Sequence, residues 1–146
     1  MANDLLKDEY FCLQRIVEDF DSKSLDIKKW SVGVVSASAF ASLATPTSNA
    51  GLIAGSIAAV GFWITDASWK TFQQGFLPRL KEIEAAYSRG MEDQLKPLQI
   101  SASWRREVGP TAVVVNTFKH MLWPNVFVPH VVVLVIAILA VALQHR

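Results

Sequence analysis

The chain has 146 residues, a length suited to one domain, and its 14 Lys+Arg against 13 Asp+Glu leave a net charge of +1; no overall charge points to nucleic acid. Apolar residues make up 51% and charged residues 18%, which excludes a disordered chain, and the single Cys12 excludes an internal disulfide or a multi-cysteine metal site. The apolar residues are clustered: no Asp, Glu, Lys or Arg occurs over residues 30–65 or 120–145, and that distribution reads as a small all-α integral membrane protein.

Residues 1–29 hold five basic and seven acidic side chains. A secretory signal has a short basic start followed directly by an apolar run. This charged opening predicts instead a cytosolic amphipathic helix ahead of a retained membrane anchor. Leu6, Tyr10, Leu13, Val17, Phe20 and Ile27, with Ser24 in the remaining slot, recur at spacings of four and three, a helical stripe that also fits a heptad. The stripe suits packing on another helix of the same chain, a self-associating coiled coil, or a membrane surface; the net −2 of the segment disfavours anionic lipid. Asn3 or Asp4 is the expected N-cap, and Cys12, beside the stripe, is expected to be a buried inert thiol.

Residues 30–65 are too many for one crossing: a single helix would be about 54 Å long against a hydrocarbon core of about 30 Å. Thr45-Pro46-Thr47-Ser48-Asn49 is a turn signal near the middle, so a hairpin of two spans is expected over about residues 30–43 and 50–65, both continuing into polar flanks. Trp30, Trp63 and Trp69 stand where interfacial aromatics belong. Gly51, Gly55 and Ala59 share one face of the second arm, and Gly33, Ala37 and Ala41 share one face of the first. Small residues four apart let helices approach closely in lipid, so these are the expected packing faces.

Between residues 66 and 96, Trp69, Phe72, Phe76, Leu80, Ile83, Tyr87 and Met91 follow helical spacing, and Pro78 predicts a kink or break near Gly75. Lys70, Lys81, Arg89 and Lys96 lie off the aromatic face, as either a solvated face or a basic lining for an anionic ligand. Pro97, Gly109 and Pro110 punctuate residues 97–120. Short helical pieces at the membrane surface are expected there, with Ser101 or Ser103 opening one that holds Arg105 and Arg106. The β-branched residues 111–118 alone also suit a strand, but a single strand is unstable. A third span is expected over about residues 126–143, with His130 near its start; an ionisable residue at membrane depth points to function, and its place near the end favours an interfacial neutral imidazole. The expected units are thus residues 1–29, a cytosolic amphipathic helix; 30–66, a transmembrane hairpin; 67–120, a cytosolic helical segment; and 121–146, a third transmembrane helix with a short external tail.

Thirteen of the basic residues fall in residues 1–29 and 66–120. Basic loops stay cytoplasmic, so the N terminus and the central segment are expected inside and the C terminus outside. The two inner pieces carry −2 and +2, suited to pack on each other. His120, His130 and His145 have no metal-binding spacing, and neither a phosphate loop nor a catalytic constellation exists; the chain does not read as an enzyme, and no metal or cofactor is expected.

The run Tyr10-Phe-Cys-Leu-Gln-Arg-Ile-Val-Glu-Asp-Phe-Asp-Ser-Lys-Ser-Leu25, then Ile27-Lys-Lys-Trp30, Phe62-Trp63 and Trp69-Lys70, resembles the SLATT-type membrane effectors of bacterial anti-phage systems over about residues 10–90. The shared layout is a helix, a two-span hairpin and a long cytosolic helix; the third span departs from it. The resemblance implies a homo-oligomeric channel of the bacterial inner membrane that dissipates the membrane potential, under control of a nucleotide-derived signal. On that reading the chain assembles with itself as a tetramer or larger ring, and its partners are membrane lipid and a nucleotide or short oligonucleotide. Ser36, Ser38, Ser42, Ser56, Thr65 and Asp66 are the candidate pore lining, each hydroxyl having its own helix backbone as the alternative partner. Lys81, Arg89, Lys96, Arg105 and Arg106 are the candidate basic chamber, since Arg and Lys pair with phosphates. The rival expectation is a membrane anchor or assembly subunit whose heptad docks a cytosolic protein partner; a holin-like lysis protein ranks third.

Overall fold

The computed structural model describes residues 2–44 and 50–144. Among the described residues every regular element is helical: α1 (Ala2–Ala44), α2 (Ala50–Gln74), α3 (Leu77–Ser88), α4 (Ile100–Glu107), α5 (Pro110–Met121) and α6 (Pro124–Gln144), with a single 3-10 turn at Glu92–Gln94. Residues 97–120 are thus two short helices, α5 including the β-branched run. The turn expected at Thr45 to Asn49 lies outside the described residues.

Helix α1 has 43 residues, about 65 Å at 1.5 Å per residue. It has no proline and one glycine, Gly33, so nothing in the sequence interrupts it at the polar-to-apolar boundary near Trp30. The seam expected at residues 29–30 therefore falls inside one continuous helix. Helix α2 lies along α1 and continues almost directly into α3. Pro78 forces the break between them: it has no N–H to give a preceding carbonyl and is tolerated only in a first helical turn. Gly75 and Phe76 make the turn, their N–H groups bonding to Phe72 O at 3.2 Å and Gln73 O at 3.0 Å. A side chain at Gly75 would run into Val108 and lie 3.0 Å from the Trp104 ring, so this glycine also admits α4. Helix α3 closes on Gly90 at φ 63°, the left-handed residue that lets the Met91 N–H bond back to Ala86 O at 2.9 Å. Helix α4 opens at Gln99, not at either expected serine.

Two cores result. In the charged half, Leu6 and Leu13 of the α1 stripe pack on Ile83 of α3, flanked by Tyr10, Phe76, Leu80, Tyr87, Leu95 and Ile100. The heptad is satisfied within the chain. Cys12 is exposed, contrary to expectation, because the stripe turns its other flank inward. In the apolar half, Val35 of α1, Ala59 of α2, and Val133 and Ala137 of α6 form a thin core. Around it Phe40, Ile53, Ile57, Val132, Ile136, Ile138 and Leu139 point outward.

The unit Ala50–Ser88 is long and apolar enough to cross a membrane, with an 18-residue window of mean hydropathy 1.5. Helices α5 and α6 meet that standard only as one bent pair, at 63°. The described residues therefore supply one such helix, or two with the bent pair, against the three expected. Helix α1 falls short because its apolar half holds Ser31, Ser36, Ser38 and Ser42 and begins next to Lys28 and Lys29.

Candidate functional site

The buried face of α1 does not change register where the chain turns apolar. Ser24, Lys28, Ser31, Val35, Ser38 and Ser42 follow one another at spacings of four and three, continuing the Leu6–Leu13 stripe, and Ser24, Ser31, Val35 and Ser42 are buried. A helix has one line of closest approach to a parallel neighbour, so this line meets α2. Gly51 and Gly55 lie on it as expected: a Cβ at Gly55 would sit 2.6 Å from the Ser38 Cβ, and one at Gly51 2.8 Å from Ser42 Oγ. Ala59 is fully buried. Gly33 and Ala37 correct the expectation. Both are exposed, Gly33 has nothing within 4 Å of where a Cβ would stand, and the small residues opposite α2 are serines.

Where this line leaves the charged half of α1, a carboxylate joins three helices. Asp66 of α2 is completely buried. Its Oδ1 accepts the Ser24 hydroxyl at 2.5 Å, and its Oδ2 accepts Lys28 Nζ at 2.6 Å and His130 Nε2 at 3.3 Å. Lys28 also donates to Ser24 Oγ at 2.6 Å, so one hydroxyl is both held by the ammonium and aimed at the carboxylate. On the far side of the ring, His130 Nδ1 faces Ser31 Oγ at 3.4 Å. Trp63 stacks near the imidazole, ring centres 6.5 Å apart and planes 18° apart, while its own N–H reaches Met121 O at 3.0 Å. A carboxylate only accepts, so Nε2 carries a hydrogen toward Asp66, and in a neutral ring Nδ1 would receive the Ser31 hydroxyl. His130 is only 1% exposed and is a buried partner of Asp66.

A second polar clamp lies in the charged half. Arg79 grips Glu9 through Nε–Oε1 at 2.9 Å and Nη2–Oε2 at 3.1 Å, reaches Glu82 at 2.9 Å and donates to Lys96 O at 2.6 Å. Burial works against the guanidinium's charge, but the bonds to Glu9 and Glu82 outweigh it and raise its affinity for its proton. The Glu9 carboxylate also accepts the N–H groups of Leu98 at 2.7 Å and Gln99 at 3.2 Å. That capture holds Leu98 in the left-handed region, φ 61°, which is unfavourable for a branched side chain. The clamp pins the loop after α3 to α1. With Asp21–Lys70 at 3.2 Å, it realises the packing of the −2 segment on the +2 segment.

The remaining expected site residues do not converge within one chain. Ser38, Ser56 and Thr65 donate to Val34 O, Leu52 O and Gly61 O of their own helices, the alternative to pore lining. Ser42 faces α2, Ser36 borders an apolar groove with Val32, Phe40 and Ile136, and Asp66 has no exposed surface, so the six form no common lining. Lys81, Arg89, Lys96, Arg105 and Arg106 are all exposed. Arg89 edges one hollow with Met91 and Leu95, and Arg105 another with Phe76 and Trp104. The basic residues held in buried polar clamps are Arg79 and Lys28, both absent from the expected set.

Both clamps left traces in the sequence. Glu9 sits one turn from Leu6 on the stripe, where a charge needs a partner. Asp66 is the first charge after the 36 neutral residues 30–65, and His130 is the one internal ionisable group of the last block. Their pairing needs the three-dimensional fold. Compared with family models, with curated proteins and with solved structures, the chain matches none.

Proposed function

We propose that this chain is a three-span protein of the bacterial inner membrane that acts as a homo-oligomeric channel, of the defence-effector kind its layout resembles. The observation that carries the membrane reading is an inverted distribution of polarity. In the half built from α6 and the apolar parts of α1 and α2, the ionisable groups Asp66 and His130 are inside, while Ile57 is 69% and Ile138 64% exposed. Helix α5 repeats the inversion, with Thr117 and His120 buried against Thr71 of α2 and Val114, Val115, Phe118 and Leu122 outward. Water would favour the opposite arrangement, and lipid favours this one. The spans are the apolar part of α1, the start of α2, and α6, with α5 lying along the inner surface. N terminus and charged lobe are inside and the C terminus outside.

A water path through three thin helices is geometrically excluded, so conduction belongs to a ring of copies, with lipid and neighbouring subunits covering the outward aliphatic residues. The five dispersed basic residues would then form a chamber between subunits, where a nucleotide-derived anion would bind. Purified protein in liposomes is expected to pass ions and to give particles with rotational symmetry; an absence of flux from folded, inserted protein overturns the channel. Reporter fusions at the two ends are expected on opposite faces, and both on one face overturns three spans. The anchor reading has one observation in its favour: an aromatic hollow of about 350 Å³ lined by Lys7, Tyr10, Phe11, Glu84 and Tyr87 on the charged lobe. A tight complex with a cytosolic protein, without flux, decides for it.

A further inference from the structure

We propose that the Asp66 junction is a proton site: a proton taken up at His130 displaces Lys28 from the carboxylate and loosens α1 from α2 at the inner end of the spans. The charged groups facing His130 are Asp66 on α2 and Lys28 on α1, and the neutral ones are Ser24, Ser31 and Trp63. With the imidazole neutral the charges cancel: one carboxylate, one ammonium and a ring whose Nε2 faces Asp66. A second hydrogen at Nδ1 breaks that balance by one positive charge in a place closed to water, where an excess charge is costly.

Only one group can leave. Asp66 is 0% and the His130 side chain 1% exposed, whereas the Lys28 side chain keeps 17% of its surface and carries its ammonium on four flexible carbons. A lysine at a helix boundary extends such a stem toward water or lipid headgroups at little cost. The imidazolium then serves as the counter-ion of Asp66 through the contact Nε2 already makes. Nδ1, now a donor, finds the same Ser31 Oγ, which accepts after its hydrogen turns away. Ser24 keeps its bond to Asp66 Oδ1 and loses only the lysine. Asp66 keeps two donors through the exchange, Ser24 and His130, so both arrangements leave the buried carboxylate partnered. They differ in whether α1 is tied to α2 by an ion pair. Two such arrangements exchanging one proton are what a switch requires. The junction does this whether or not the chain conducts.

The test is a pH titration from 8 to 5 of the full chain in nanodiscs of phosphatidylcholine and phosphatidylglycerol, following ¹⁵N signals of the histidine rings and lysine Nζ, with His120→Gln and His145→Gln to isolate His130 and Lys28→Arg to assign Lys28. The His130 imidazolium signal and the change in the Lys28 Nζ signal are expected to share one midpoint. His130→Gln, whose amide still donates to Asp66 but takes no proton, is expected to abolish the Lys28 change. Lys28→Met leaves Asp66 without its ammonium, and the imidazolium-to-imidazole ratio of His130 at pH 7 is expected to rise about tenfold or more. Lys28 and His130 changing at separate midpoints, or a carboxyl ¹³C signal showing that Asp66 takes the proton, overturns the proposal. If His130→Gln does not insert, the Lys28→Met ratio decides alone, and an unchanged ratio refutes it.

Discussion

The two halves of this molecule use the same helices under opposite rules. In the charged half, α1 hides Leu6 and Leu13 against Ile83 and leaves Lys7, Asp8 and Arg15 in water. Further along the same face, α1 hides Ser24 and Ser31 and leaves Trp30, Val32 and Phe40 outside. The line of contact with α2 and α3 never changes; what the other side exposes does, charged residues in one half and apolar ones in the other. Burial of apolar area drives assembly only where the alternative is water. Where the alternative is hydrocarbon, close backbone approach and internal polar bonds take over. Each half accordingly carries one buried carboxylate clamp, Glu9–Arg79 in the first and Asp66–Lys28–His130 in the second.

The strongest way to break this comparison is at the clamp in the charged half. Glu9→Ala leaves the Arg79 guanidinium buried without its bidentate partner, and also frees the Leu98 and Gln99 N–H groups. A loss of about 3–5 kcal/mol is expected, read as a drop in the denaturation midpoint together with rapid hydrogen exchange over residues 95–100. Next in size is a charge on the outward face of the other half. Ile57→Asp is expected to cost about 2.5–3.5 kcal/mol of membrane insertion, measured by glycosylation-mapped insertion of α2, while Lys81→Leu in the charged half changes stability by no more than about 0.5 kcal/mol. A harmless Ile57→Asp would mean that water, not lipid, covers that face.

Gly55→Val probes the close approach itself. Its added carbon meets the Ser38 side chain at 2.6 Å, and overpacking of this kind costs about 1–3 kcal/mol, seen in thermal melting in detergent; Gly33→Val, on the open side, is expected to change little. The smallest effect sharpens the boundary between the halves. Burial, then the charges of Lys70 and Lys119, push His120 below its ordinary value of 6.5, so the unfolded chain binds that proton more tightly. Its contribution is intact above pH 6.5 and declines as the pH falls below it. The difference in melting temperature between pH 8 and pH 5.5 is expected to narrow in His120→Gln.

Sequence spacing predicts much of this architecture. The recurrence of Leu6, Tyr10 and Leu13 marks a helix face that needs a partner, Pro78 with Gly75 marks the break after α2, and Gly51, Gly55 and Ala59 mark the face of closest packing. These are local matters, decided by side-chain periodicity and backbone allowances within a few residues. The opposite side of that packing was readable in principle from register, since Ser31, Ser38 and Ser42 continue the stripe, but composition alone points to Gly33 and Ala37. Small size is necessary for close contact, and only the azimuth of the helix says which small residues use it.

What the sequence determined by itself is an all-helical chain with two charge-free stretches and a break near Gly75, because each follows from residue type and order along one strand of backbone. Tertiary structure alone decided that Glu9 meets Arg79 across 70 residues of chain and that Asp66 gathers Lys28 and His130 from two other helices. A buried charge states that it needs a partner but not where along the chain the partner lies. That choice depends on the rotation and axial offset of whole helices, set by the sum of their packing contacts.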